Sequence, residues 1–230
     1  MKTLTALICL MLALPAKAAL VTYNFTAKIS SLTEQLGNIY NPRPIETRSV
    51  NGELISLGYT VKGSFTYDTS TRPSQNPIPL PQGVVMYSDF TATNKLDFSF
   101  NQNNLHFTSA GENPYQYIIV GDGSMDGFSF SARIKNNAST SSAYLFLSAY
   151  EDIFSSNGIP ENLPASRFTT KIFSYTFSDF QGATSRSLTA SGEITSLELT
   201  SPVPEPSSYA MFLAGLAVAA FAVRRRQTNS

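Results

Sequence analysis

Residues 23–29, YNFTAKI, alternate between apolar and polar side chains, and this alternation sets the pattern for most of the chain. Successive side chains of a β-strand point to opposite faces of its sheet, so Tyr23, Phe25, Ala27 and Ile29 are predicted to share one face. The same period of two recurs in LDFSF (96–100), LHFTS (105–109), YQYIIV (115–120), FSFSARI (128–134), AYLFLSAY (143–150), FSYTF (173–177) and LTASGEITSLEL (188–199). Roughly nine or ten strands of this kind predict an all-β body, a β-sandwich or jelly roll.

Three segments rich in proline, asparagine and serine separate the alternating runs: 41–53, 68–83 and 150–166. Proline lacks a backbone donor and fixes φ, so these segments are predicted as irregular surface connections. The alternating runs between them predict one passenger domain over residues 19–200. A Pro-rich linker, 201–208, follows it.

The charges of the 230-residue chain are unevenly placed, although 16 basic side chains balance 16 acidic ones. Residues 19–203 hold 11 Lys and Arg against 15 Asp and Glu, a net charge of −4. Nucleic-acid binding requires clustered basic side chains that neutralise phosphates, so this body excludes a nucleic-acid partner.

The chain has a single cysteine, Cys9, and a single histidine, His106. This leaves no second thiol for a disulfide within the chain and too few ligands for a structural zinc site. His106 alternates with apolar neighbours, so it is predicted to lie on the polar face of a strand. We expect a body without cofactors, stabilised by burial of its core.

The N-terminus has the layout of a secretory signal peptide. Lys2 begins it, an apolar run covers residues 4–14, and the small residues Ala16 and Ala18 follow a proline. An uncleaved anchor is disfavoured, because spanning a bilayer takes roughly 20 apolar residues. Signal peptidase is therefore predicted to remove residues 1–18.

The C-terminal stretch 203–230, VPEPSSYAMFLAGLAVAAFAVRRRQTNS, combines three features in order. The triplet Pro204-Glu205-Pro206 comes first, an uncharged run over 209–223 follows, and the cluster Arg224-Arg225-Arg226 comes last. The uncharged run would form a helix of about 22 Å, short of the roughly 30 Å hydrocarbon core. Residues 209–226 are thus predicted as a short transmembrane helix with cytoplasmic arginines.

Together with the signal peptide, residues 203–227 resemble the PEP-CTERM protein-sorting signal of exported proteins from Gram-negative bacteria that make extracellular polysaccharide. The resemblance implies that an exosortase reads Pro204, Glu205 and Pro206, while Arg224–Arg226 act as a stop cluster. It also implies an inner-membrane intermediate before delivery to the cell surface or the extracellular space. The alternative is a plain single-span anchor. Family members share the tail and carry unrelated bodies, so the resemblance says little about residues 19–200.

Residues 121–127, GDGSMDG, place Asp122, Ser124 and Asp126 at the spacing of the first half of a calcium-binding loop. The twelfth position of that loop would be Arg133, where a bidentate acid is required. A hairpin turn between two strands is the favoured interpretation.

Two functions fit these patterns. The favoured one is a non-enzymatic structural or adhesive protein linked to extracellular polysaccharide, with tyrosines such as Tyr115 and Tyr117 as residues that could stack on sugars or pack in the core. The alternative is a secreted glycoside hydrolase or lyase with the same tail, which needs paired carboxylates in a cleft. No spacing singles out a pair, so no catalytic, cofactor or metal residue is assigned; the candidate acids are Asp89, Asp97, Glu151, Asp152 and Asp179.

Overall fold

The computed structural model of this chain describes residues 20–37, 41–75, 79–89, 93–110, 115–136, 138–181 and 184–200. The predicted signal peptide with Ala16 and Ala18, the linker, and the tail over 201–230 lie outside these residues. Their boundaries therefore remain predictions.

The described residues form thirteen β-strands and no helix, which confirms the predicted all-β class. The strands are β1 (Leu20–Leu36), β2 (Arg43–Pro44), β3 (Thr47–Val50), β4 (Glu53–Ser56), β5 (Thr60–Asp68), β6 (Val84–Asp89), β7 (Lys95–Phe100), β8 (His106–Thr108), β9 (Tyr115–Gly121), β10 (Asp126–Lys135), β11 (Ser139–Ala149), β12 (Thr170–Gln181) and β13 (Thr184–Thr200).

One antiparallel sheet contains eleven of these strands, in the order β6-β9-β10-β11-β12-β13-β1-β5-β7-β8, with β2 paired to β1. Strands β9 to β13 pair with their neighbours in the sequence, and β13 then pairs with β1 over most of its length. The remaining strands, β3 and β4, form a separate hairpin.

The large sheet curls so that one face closes on itself. Phe65 on β5 contacts Phe130 on β10, with ring centroids 5.7 Å apart, and Phe98 on β7 contacts Phe173 on β12 at 5.0 Å. These strands are far apart in the order of the sheet, so the contacts require its two halves to face each other. The sandwich-like core is thus enclosed by one continuous sheet.

The buried face is the one that the alternation predicts. Tyr23, Phe25, Ala27 and Ile29 are each at most 2% exposed. Full burial of a large apolar side chain stabilises the fold by roughly 1.5–3 kcal/mol, so these rows supply most of the driving force.

The prediction of an irregular connection over residues 41–53 is wrong. The β3–β4 hairpin lies there and extends to Ser56, and both Val50 and Ile55 are buried in the core. Asn51 and Gly52 form its two-residue turn, with φ of 51° and 86°. Asparagine and glycine tolerate this left-handed backbone, which suits a tight hairpin. The prolines earlier in the same segment favoured an irregular connection, so the Asn51-Gly52 pair was not recognised as a hairpin turn.

In the other two predicted connections, the described residues 69–75, 79–83 and 150–166 form no strand, apart from an isolated bridge between Pro73 and Tyr87. The loop over residues 150–169 is nevertheless part of the core. Phe154, Leu163 and Phe168 are all buried in it. We call this segment the core loop.

Candidate functional site

The sheet face that points away from the core carries a group of aromatic side chains. On β9 and β11 the alternate residues Ile118, Val120 and Leu145 are fully buried in the core, so their neighbours face outward. These outward neighbours include four aromatic residues, which we call the aromatic face: Tyr115, Tyr117, Tyr144 and Phe146.

The register of the strands places small residues between these rings. Ser131 on β10 lies between Tyr117 on β9 and Tyr144 on β11. Ser129 lies in the same way beside Phe146. Both serines are only 5% exposed although they face outward. A serine side chain is short, so these two serines are shielded from solvent because the larger side chains on β9 and β11 cover this part of β10.

The rings of the aromatic face also contact one another. The centroids of Tyr115 and Tyr117 lie 5.8 Å apart, and those of Tyr144 and Phe146 lie 6.0 Å apart with nearly parallel planes. Burial, and then the nearby Tyr117 hydroxyl, raise the pKa of Tyr144 above its ordinary value. The result is a half-buried aromatic surface with hydroxyl groups on it.

The apolar surface continues across neighbouring strands. Ile172 on β12 lies in register with Phe146, and its side chain is 38% exposed. On the opposite side, Ile119 on β9 is in register with Met86 on β6. A row of mainly apolar side chains therefore crosses five strands, β6, β9, β10, β11 and β12.

Beyond the aromatic face, the outer surface of β12 and β13 is a ladder of hydroxyl pairs. Three cross-strand pairs lie at hydrogen-bonding distance: Ser174 with Ser191 at 3.0 Å, Thr176 with Thr189 at 3.1 Å, and Ser178 with Ser187 at 3.1 Å. Rings and hydroxyls thus lie side by side on one sheet face.

The GDGSMDG segment forms the hairpin turn that its composition predicts, between β9 and β10. Carboxylate oxygens of Asp122, Asp126 and Asp152 lie within 4.8 Å of one another. Asp126 is 1% exposed, and its Oδ2 accepts hydrogen bonds from the backbone N–H groups of Ile153 and Phe154, both at 2.7 Å. Its Oδ1 accepts the N–H of Gly123 at 3.1 Å. Backbone donors thus occupy both oxygens, and Asp126 fastens the turn to the core loop.

The other predicted acids lie on separate elements. Glu151 forms an exposed ion pair with Arg167 at 3.6 Å, Asp97 alternates with buried residues of β7, and Asp179 lies near the end of β12. The side chain of Asp89 lies outside the described residues. His106 is exposed on β8, which confirms its predicted position.

The sequence pointed to Tyr115 and Tyr117 but not to Tyr144 or Phe146. The signal for the second pair is AYLFLSAY, where large apolar side chains occupy both faces of one strand. Large apolar side chains on both faces of one strand indicate that its outer face is partly apolar as well.

Comparison with protein families identifies the tail. A family model described as the PEP-CTERM protein-sorting motif matches residues 202–226, which include the Pro204-Glu205-Pro206 triplet and the arginine cluster. The predicted resemblance is thereby confirmed, and the chain carries this sorting motif. No curated protein matches the chain. The match covers 25 of the 230 residues and leaves the β-rich body unassigned.

The motif implies an exported protein that crosses the membrane, is processed by an exosortase, and is sorted toward the cell surface. Within the described part of the chain, the structure shows no helix of the length and apolarity that membrane crossing requires. The predicted helix over 209–226 lies outside that part.

Proposed function

We propose that this protein is a non-enzymatic structural or adhesive component of the cell surface or extracellular matrix, and that its aromatic face binds extracellular polysaccharide. Signal peptidase removes residues 1–18, and the exosortase acts on the tail. The body is then left outside the cell with its outer sheet face available.

The observation that supports this proposal is the aromatic face itself. The core cluster and the residues packed against it do not include Tyr117, Tyr144 or Phe146. Aromatic rings outside a core mark a binding surface when they lie together. The faces of sugar rings carry C–H groups that pack against the electron-rich faces of aromatic rings, while tyrosine hydroxyls hydrogen-bond to sugar hydroxyls.

The acidic residues support a non-enzymatic role. Glycoside hydrolysis needs two carboxylates free to act as acid and as base or nucleophile. Asp126, in the closest group of acids described, is held by three backbone N–H groups, and Glu151 is exposed beside Arg167. The alternative, a polysaccharide-active enzyme, predicts a different outcome, because such an enzyme would release new reducing ends from the polysaccharide.

The test is co-sedimentation of the body with insoluble cellulose, with chitin, and with exopolysaccharide purified from the native host. The variant Tyr117→Ser/Tyr144→Ser removes the two central rings and is expected to weaken binding at least tenfold. The matched control is Tyr150→Ser, because Tyr150 is an 80% exposed tyrosine that follows the end of β11 and is not one of the four residues of the aromatic face. Equal binding by both variants, or no binding by the wild type, would contradict the proposal. Release of reducing ends from these glycans would instead support the enzyme.

A further inference from the structure

A cavity of about 260 Å³ lies between the β3–β4 hairpin and the ends of β12 and β13. Its lining includes Arg48 and Asn51 from the hairpin, Phe177 and Asp179 from β12, and Arg186 and Leu188 from β13. Ligand pockets for drug-sized molecules measure roughly 300 to 1,000 Å³, so this one suits a smaller group such as a single sugar ring.

Glu34 on β1 holds the two arginines of this cavity in place. The Nε atoms of Arg48 and Arg186 lie 3.2 and 3.3 Å from the same oxygen, Glu34 Oε1. The Glu34 side chain is only 17% exposed, so water screens these ion pairs less than on an open surface. In the described part of the chain, no hydrogen bond engages the terminal nitrogens of either guanidinium. Each arginine therefore has N–H donors left for a ligand.

The charges around the cavity argue for a neutral ligand. Arg48 and Arg186 carry two positive charges, and Glu34 and Asp179 carry two negative ones. Glu34 and Asp179 thus offset the charge of the two arginines that line the cavity, which weakens the attraction for an anion. The cavity does offer donors on the guanidiniums beside an acceptor on Asp179, a combination that matches sugar hydroxyls, which both donate and accept hydrogen bonds.

The remaining walls also suit a sugar. Phe177 is half-buried and packs against the core, so it offers a fixed apolar surface for the C–H face of a ring, and the buried Leu188 lies behind that wall. Asn51 lies in the tight turn with φ of 51°, which fixes its position, and its amide both donates and accepts.

We propose that this cavity binds one neutral sugar residue of the polysaccharide, as a site separate from the aromatic face. The inference rests on the proposed function and deepens it. The aromatic face would bind the polysaccharide chain by stacking on its sugar rings. The cavity would distinguish sugars by the positions of the hydroxyl groups on a single residue.

The experiment is saturation-transfer NMR on the mature body with methyl glycosides of glucose, galactose, mannose and N-acetylglucosamine, and with methyl glucuronide. At least one neutral glycoside is expected to bind. The variants Asp179→Asn and Asn51→Gly are expected to weaken its binding at least tenfold. Glycine accepts the left-handed backbone at position 51, so that variant removes the amide without straining the turn. Tyr150→Ser is the control and is expected to bind as the wild type does.

Three results would overturn the inference: no neutral glycoside binds, the cavity variants bind as well as the control, or methyl glucuronide binds at least tenfold more tightly than every neutral glycoside. Co-sedimentation of the same preparations with polysaccharide separates this failure from that of the proposed function. Suppose that Tyr117→Ser/Tyr144→Ser abolishes co-sedimentation with the polysaccharide, while the cavity variants bind the neutral glycosides as the wild type does. Only the cavity proposal is then wrong.

Discussion

The hydroxyl of Tyr23 on β1 accepts a hydrogen bond from the backbone N–H of Leu163 in the core loop at 2.6 Å. It donates in turn to the Oδ1 of Asn162 at 2.7 Å. Two other tyrosines with rings in the core act in the same way: Tyr67 donates to the carbonyl of Pro160 at 3.0 Å, and Tyr87 to that of Asn157 at 2.7 Å. Three strands therefore hold the core loop through phenol groups.

Tyr23→Phe is expected to lower the free energy of unfolding by about 1–3 kcal/mol, because it leaves the buried N–H of Leu163 without its partner. The packing of the ring stays the same, so lost packing does not explain the change. The measurement is a urea titration at neutral pH. Tyr150→Phe removes an exposed hydroxyl and should change stability by less than about 0.5 kcal/mol. Equal stability of both variants would show that the core loop does not depend on this contact.

The buried tyrosines also predict how stability changes with pH. Burial raises the pKa of Tyr67 far above its ordinary value, with a smaller contribution from Tyr23, and burial also raises the pKa of Tyr175. The unfolded chain loses these phenolic protons near pH 10 while the folded protein keeps them. Their stabilising effect is therefore complete below about pH 10 and is lost as the pH rises above that value.

Urea titrations between pH 8 and pH 11 measure this effect. Stability of the wild type should fall between pH 10 and pH 11, and the fall should be smaller in Tyr67→Phe, which has one phenol fewer to titrate. Parallel curves for the two proteins would contradict the assignment.

Asp126 predicts the outcome of metal removal. Because three backbone donors occupy its carboxylate, Asp126→Asn should destabilise the fold by about 1–3 kcal/mol, whereas Asp122→Asn should have little effect. The melting temperature of the wild type should be the same with and without EDTA. A drop of several degrees in EDTA, together with equal losses in the two variants, would indicate that the three acids bind calcium.

The alternation of residues predicted the buried faces of β1 and β7 correctly, because a period of two follows directly from strand geometry. It could not predict strand order, since alternation says which side chains are buried but not which strand lies beside them. Contacts such as that of Tyr23 with Leu163 join residues 140 positions apart, and no local pattern encodes them. The aromatic face was only half recognised for a similar reason, because Tyr117 and Tyr144 come together only through their shared neighbour on β10.

The last prediction separates a sorting signal from a plain anchor. Glu205→Gln keeps the size of the side chain and removes one charge outside the apolar run, so membrane insertion should be unaffected. If the exosortase reads the Pro204-Glu205-Pro206 triplet, this variant should accumulate unprocessed in the inner membrane of the native host. Deletion of Arg224–Arg226 should instead remove the stop that holds the triplet at the outer boundary, and protein should be lost to the periplasm.

Cell fractionation and the intact mass of a body carrying an affinity tag measure both outcomes. Ser207→Ala is the matched control, because it changes a small residue just outside the triplet and should leave mass and location as in the wild type. A plain anchor depends on hydrophobicity alone, so it makes Glu205 irrelevant. Unchanged mass and location in both Glu205→Gln and an exosortase deletion strain would therefore show that residues 203–230 act as an ordinary anchor in this protein. Retention of Glu205→Gln alone, with Ser207→Ala processed normally, would show that the carboxylate is read directly.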